Sequence, residues 1–366
     1  MPNLRRAPFG ALAVACLATG AWGGLIRAGV LAPAAFERLP HQHGALMAAG
    51  FLGALIGLER AIALADARAY LAPAFCAGGA LATLFGAPEP AGAVWTALGS
   101  LVYLWVTAVI ARRGGEVHGW LSVLGAAVGL SANAAVAVGV PAFRAAPAWL
   151  AFLVITIFAE RLELSRLMAL RPRAKLAAVA LSTAATAGAV LALVGAAEAS
   201  WVFGAALQGI GLWILLADPG LRGLRARALP RYMALLLIAG AVWLIGAGAL
   251  FVLHGPATGG PWHDAMLHMG FVGFVFSMIF AHGPLVARAV AEVDVAFRPR
   301  LYVPAAALHA TLIVRLTGDA LGAPALRQAG ATGNVIAIVA FFAAMASCAV
   351  AARREAARGE AASAAA

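Results

Sequence analysis

The chain has 366 residues, 63% of them hydrophobic and only 11% charged, with a mean hydropathy of +0.92. Soluble domains carry roughly a quarter charged residues, so this composition excludes a soluble protein. The net charge of +11 excludes a nucleic-acid binder less obviously: the basic residues form no single patch but recur in short segments between apolar runs, as the positive-inside rule expects of a membrane protein.

Twelve apolar runs of spanning length follow one another, at roughly 8–27, 41–65, 70–87, 91–111, 118–140, 147–168, 174–197, 199–217, 230–253, 262–284, 301–321 and 327–350. A span needs about 20 apolar residues. In lipid each segment must satisfy its own backbone, which predicts helices. The expected fold is therefore all-α. It is one transmembrane bundle of about twelve helices over residues 1–350, with a polar cytoplasmic tail at 351–366. If the N-terminus is inside, 20 of the 26 basic residues fall on inner segments. Arg27, Arg38, Arg144 and Arg327 fall on outer ones, and Arg161 and Arg315 lie within spans. That alternation predicts both termini inside and a retained first helix, although "MPNLRRAPFGALAVACLATGAWG" has the look of a signal peptide. The three cysteines, Cys16, Cys76 and Cys348, lie in separate runs without a CxxC pair, which argues against thiolate metal sites.

The second run, "PHQHGALMAAGFLGALIGLERAIAL" at 40–64, opens on His41 and His43 and closes on Glu59–Arg60. On a regular helix the two histidines point about 200° apart, so both serve one metal only if the helix begins after His41. Gly53 and Gly57 form a small-xxx-small face for a neighbouring helix. The sixth run ends "FAERLELSRL", which puts Glu160, Arg161 and Glu163 at the depth of Glu59 and Arg60. Adjacent residues cannot face one another, so these charges should pair across helices; the alternative is a proton route, for which intramembrane carboxylates are the usual candidates.

In the tenth run, "WHDAMLHMGFVGFVFSMIFAH", His268 belongs to the outer half, with Asp264 one turn earlier on the same face. Asp264 is placed to orient the imidazole. His282 shares that face but lies about 21 Å away along the axis, too far for a common metal. The eleventh run carries His309 near its middle and Arg315 toward the outer side. An arginine at that depth is costly, and either Asp319 or the propionate of a haem would explain it. Met47, Met266 and Met269 add soft donors suited to copper. The expected site is thus a pair formed by His43 (or His41) and His268, with an apolar slot between facing helices, as axial haem ligation requires.

"PHQHGALMAAGFLGALIG", "HDAMLHMGFVGFVFSMIFAHGPLV", "RLYVPAAALHATLIVRLTGDA" and "NVIAIVAFFAAMA" resemble the signatures of the NnrS-like family. These are twelve-span bacterial membrane proteins described as containing haem and copper and linked to the nitric oxide response. They are distantly similar to the catalytic subunit of haem–copper oxidases. The resemblance covers the span count, span two and the last three spans. It implies a bacterial inner-membrane protein with haem, and less strongly copper, as cofactor. It further implies His43 and His268 as axial ligands, His41 and His309 as second-site ligands, Asp264 as orienting partner and Arg315 as propionate anchor. A redox partner or a small gas ligand would be expected alongside membrane lipid. The chain departs from the pattern where Gly44 and Ala45 replace an acidic residue after the HxH, and where "AHGPLVAR" replaces a Gly–His–Thr–Gly–Arg run. Spans six and seven carry no histidine, so an oxidase-type copper trio is missing. No catalytic group is assigned; as an enzyme it would act by redox chemistry on nitric oxide or a related small molecule. The rival readings are a permease for a small solute or protons using Glu59, Glu160 and Glu163, and a non-catalytic membrane assembly protein.

Overall fold

The computed structural model describes residues 6–32, 38–165, 170–256 and 258–364. Arg5 and Arg166, counted above with the inner basic residues, lie outside them. The described residues form helices and connecting turns only. The helices are α1 (Ala7–Arg27), α2 (Leu39–Leu64), α3 (a 3-10 turn Ala67–Tyr70 running into Leu71–Leu84), α4 (Glu89–Gly114), α5 (Val117–Ala137) and α6 (Ala142–Leu164). Then come α7 (Pro172–Val194), α8 (Ala199–Ala217), α9 (Leu229–His254), α10 (Gly260–Ala291), α11 (Pro299–Leu321) and α12 (Pro324–Ala364). Eleven are long and apolar enough to cross a membrane; α3 is the shorter twelfth. The protein is a multi-pass all-α membrane protein. The last helix continues through the predicted polar tail as far as Ala364, where Glu355 pairs with Arg298.

Three helices, four apart in the chain, make the centre. In the most apolar stretch of each, 78% of α6 and 61% of α2 and α10 is buried, against 33–56% in the other spans. Central helices need apolar residues all round rather than one apolar stripe, and α6 has them, with Trp149 through Thr156 buried without a break. It touches both central partners: Trp149 packs on Gly44 of α2, and Leu150 on Gly270 of α10. Lower down, Phe51 of α2 meets Phe276 of α10 with ring centres 6.3 Å apart. The expected neighbourhood of spans two and ten is therefore present.

Both α2 and α10 widen into π-helical turns, at Leu46–Gly53 and Met269–Val275, directly after His43 and His268. Such turns are rare and concentrate at functional sites. Glycine permits this bulky backbone to pack closely: a methyl group on Gly273 would run into the indole of Trp243 on α9, 2.5 Å from its nearest carbon.

Candidate functional site

The first turns of α2 and α10 lie at the same end of the bundle, hereafter the histidine end. There the rings of His43 and His268 are nearly parallel, 11° apart, with centres separated by 6.3 Å. His43 donates from Nδ1 to the Gly20 carbonyl of α1 at 2.7 Å. This contact depends on Gly24, whose missing side chain leaves room for the ring; a Cβ there would lie 2.8 Å from Cε1 of His43. His268 donates from Nδ1 to the Asp264 carbonyl one turn back, at 2.8 Å, and has the Asp264 carboxylate 3.3 Å away. A carbonyl oxygen only accepts, so the hydrogen of each neutral ring sits on Nδ1 and the lone pair on Nε2. Among the described residues the hydrogen bonds of both rings are made at Nδ1, and none is seen at Nε2.

Two imidazoles bound through nitrogen on opposite sides of one metal put their ring centres about 6 Å apart, taking about 2 Å for each metal–nitrogen bond and about 1.1 Å for each ring radius. The separation of 6.3 Å matches. Among the described residues no group of three or more His, Cys, Asp or Glu side chains is placed to hold a metal. Protein-only zinc sites use three or four donors. A donor set of two fits a metal that arrives with its own equatorial ligands, as iron does in haem.

Behind His268 stands a second layer. Arg315 of α11 grips Asp264 with two parallel hydrogen bonds of 2.9 Å, from Nε and Nη2. The arginine expected to anchor a propionate is thus held by a carboxylate, and the protein group it grips is Asp264 rather than Asp319. Holding Asp264, it fixes the carboxylate beside His268, the arrangement by which outer groups orient metal-binding histidines. Arg27, exposed at the end of α1, is a further cation at this end, and its Nη1 approaches the Pro40 carbonyl of α2 at 3.5 Å. Sequence reading passed it over because it sits at a helix end among ordinary topology charges.

The other proposed ligands do not join the pair. His41 is exposed and makes no hydrogen bond or ring contact with either histidine. His309 lies behind Trp243, whose indole Nε1 donates to His309 Nδ1 at 2.9 Å with the rings stacked 6.4 Å apart. Its lone pair is used in that bond, so Nε2 carries the hydrogen, buried without a partner. A neutral His309 in this state has no free lone pair for a metal. Met47 rests on Gly20 of α1, which explains it as packing.

At the opposite, arginine-rich end, the charged residues pair across helices as expected, though not all with the expected partners. Arg60 of α2 binds Glu160 of α6 at 2.7 Å, with Glu59 half-buried beside it. Glu163 faces His118 of α5 at 3.9 Å. Arg161 turns away from this group to Asp218, at the end of α8, through two bonds of 2.7 Å from Nε and Nη2. Asp218 also caps the 3-10 segment Pro219–Arg225 by accepting from Gly220 N–H at 2.7 Å. His282 donates from Nδ1 to the Met278 carbonyl at 2.9 Å, and its Nε2 faces Nη1 of Arg161 at 3.5 Å.

One sequence signal was missed. "HGALMAAGFLG" (43–53) and "HDAMLHMGFVG" (263–273) share the pattern H-x-A, two Leu/Met residues, then Gly-Phe-x-Gly. Both copies overlap a π-helical turn. The repeat marks the widened turns of α2 and α10, and pairs the two helices before any coordinates are consulted.

Fold and site together define a multi-pass helical membrane protein with two imidazoles presented to one another near one end of the bundle. The chain belongs to the family described as "Domain of unknown function (DUF8744)", whose model matches residues 6–350. No curated protein matches the sequence.

Proposed function

We propose that this is a bacterial inner-membrane haem protein that carries electrons at the histidine end of the bundle, with His43 and His268 as the two axial ligands. The observation that carries the proposal is the imidazole pair itself: near-parallel rings 6.3 Å apart, each with Nδ1 tied to a carbonyl and, among the described residues, no hydrogen bond at Nε2. Haem supplies one-electron chemistry when bound. His43 and His268 would hold its iron, and Asp264 and Arg315 keep His268 from turning. Arg27 is the cation left to face a propionate. With both axial positions taken by protein, nitric oxide would find no open coordination site, so electron transfer fits the pair better than catalysis on a bound gas. A role in the nitric oxide response, which the NnrS-like resemblance suggests, would then consist of supplying or accepting electrons. By the distribution of arginine the histidine end faces away from the cytoplasm, so the redox partner would dock on that side.

The test is the visible spectrum of the detergent-purified protein, reduced minus oxidised, with metal analysis of the same sample. A Soret band and sharp α-band, both lost in His43→Ala and His268→Ala, are the expected result. A colourless protein containing one copper ion would reassign the pair to copper. A colourless, metal-free protein would overturn the proposal and leave the permease and assembly readings.

A further inference from the structure

A cleft of about 320 Å³ opens at the arginine-rich end, between the end of α6, the segment Pro219–Arg225, the start of α9 and the lower part of α10. It is independent of the histidine pair and of the function proposed for it. One wall is apolar, with Met233 and Leu237 of α9 and the exposed side chain of Leu164. The floor is polar, built from Arg161, His282 and Ser165, and Arg222 stands at the side.

The charges in this cleft do not cancel. Asp218, its one acidic lining residue, is fully buried, and its carboxylate is committed to Nε and Nη2 of Arg161 and to the Gly220 N–H. Nη1 of Arg161 keeps only the 3.5 Å approach to His282, too long for a strong bond. Arg161 is itself 6% exposed, so its spare N–H groups have little water to turn to. Arg222 is exposed and, among the described residues, has no ion-pair partner; the same is true of Arg225, Arg227 and Arg231 close by in sequence. The protein thus holds one guanidinium rigid at the base of the cleft and leaves others unpaired around it. Guanidinium groups bind phosphate oxygens with directed hydrogen bonds. An apolar wall next to such a cluster suits a ligand with a phosphate at one end and hydrocarbon at the other. Basic pockets between spans on the cytoplasmic side take anionic lipid headgroups for this reason.

We infer that this cleft binds a phosphate ester, and that the source is the headgroup of an anionic phospholipid, with its phosphate on Arg222 and Nη1 of Arg161 and its glycerol and first methylenes along Met233 and Leu237. The two bonds to Asp218 fix the Arg161 guanidinium at the base of the cleft.

The full-length protein, delipidated in detergent, is titrated with phosphatidylglycerol, with phosphatidylcholine and with inorganic phosphate, and binding is read by native mass spectrometry and thermal shift. One phosphatidylglycerol should be retained at concentrations at least tenfold below those needed for phosphatidylcholine. Arg222→Ala should weaken that binding about tenfold and Arg222→Lys less. Arg353→Ala, the same change in charge on the last helix, should alter it less than twofold. Arg161 is left intact in these variants because its loss would strand Asp218. Stabilisation by inorganic phosphate with no preference for the anionic lipid would overturn the lipid source. Equal binding of both lipids, or equal loss in Arg222→Ala and Arg353→Ala, would overturn the site.

Discussion

Two arginine–aspartate clamps stand at opposite ends of the bundle, and each has a histidine of α10 beside it. At the histidine end, Arg315 grips Asp264 and the carboxylate lies against His268. At the arginine-rich end, Arg161 grips Asp218 and the guanidinium lies against His282. Both histidines use Nδ1 in the same way, donating to the carbonyl four residues earlier. What differs is the neighbouring group. Beside His268 stands a second imidazole, with 6.3 Å between ring centres; Nε2 of His282 faces a cation. The first arrangement is the one on which the proposed metal site rests; the second gives its Nε2 to an arginine. A histidine's role therefore follows from the group beside it, and neither residue type nor depth in the membrane decides it.

The sharpest way to break this comparison is to remove each histidine in turn. His268→Ala should abolish the cofactor spectrum, whereas His282→Ala should leave it in place, in visible spectra of proteins purified in parallel. Loss of colour in both would mean that the two ends are not distinct. The next largest effect concerns the clamps. The Arg161–Asp218 pair is the more deeply buried, with its side chains 7% and 0% exposed against 11% and 24% for Arg315 and Asp264. Removing one partner of a buried pair leaves an uncompensated charge and costs about 3–5 kcal/mol. Asp218→Ala should accordingly lower the unfolding temperature in detergent more than Asp264→Ala does. Equal shifts would show that burial does not separate the clamps.

A smaller effect sharpens the histidine end alone. Asp264→Asn keeps the main-chain acceptor for His268 but weakens the grip of Arg315. Changes behind a metal-binding histidine typically cost about 10–100-fold in affinity, and a loss in that range is expected in haem titrations of the stripped protein. The smallest effect should come from His41→Ala. This residue is exposed and outside the pair, so the spectrum should be unchanged and stability should move by less than about 0.5 kcal/mol.

Much of the fold was legible because lipid leaves the chain few options. The apolar runs and the alternation of arginines set the number of helices and their directions, and the structure has the expected helix at each run. Two histidines of the site were legible for a similar reason: His43 and His268 are polar residues on the same side of otherwise apolar helices, and Asp264 precedes His268 by one turn. The remainder depended on contacts across helices that no linear spacing encodes. Asp319, one turn from Arg315 on the same helix, is the carboxylate that spacing offers it, yet the bonds go to Asp264 on a neighbouring helix. His309 was grouped with the ligands by depth, but Trp243 of α9 takes its lone pair. Arg161 was grouped with Glu160 and Glu163 by position, although a helix directs adjacent side chains apart and Asp218 meets it on the other side. The widened turns of α2 and α10 were written in the repeated Gly-Phe-x-Gly, which gains meaning only when the two helices are compared with each other.

The central claim is that His43 and His268 hold one metal between them, and the most direct test replaces one ligand without emptying the site. In His268→Met a methionine sulfur would take one axial position. His/Met ligation raises the potential of a haem relative to two imidazoles. Electron paramagnetic resonance of the oxidised wild-type protein should show a low-spin ferric signal characteristic of two imidazoles. His268→Met should change that signal and make the midpoint potential more positive. An unchanged signal and potential in a haem-loaded His268→Met protein would contradict the claim.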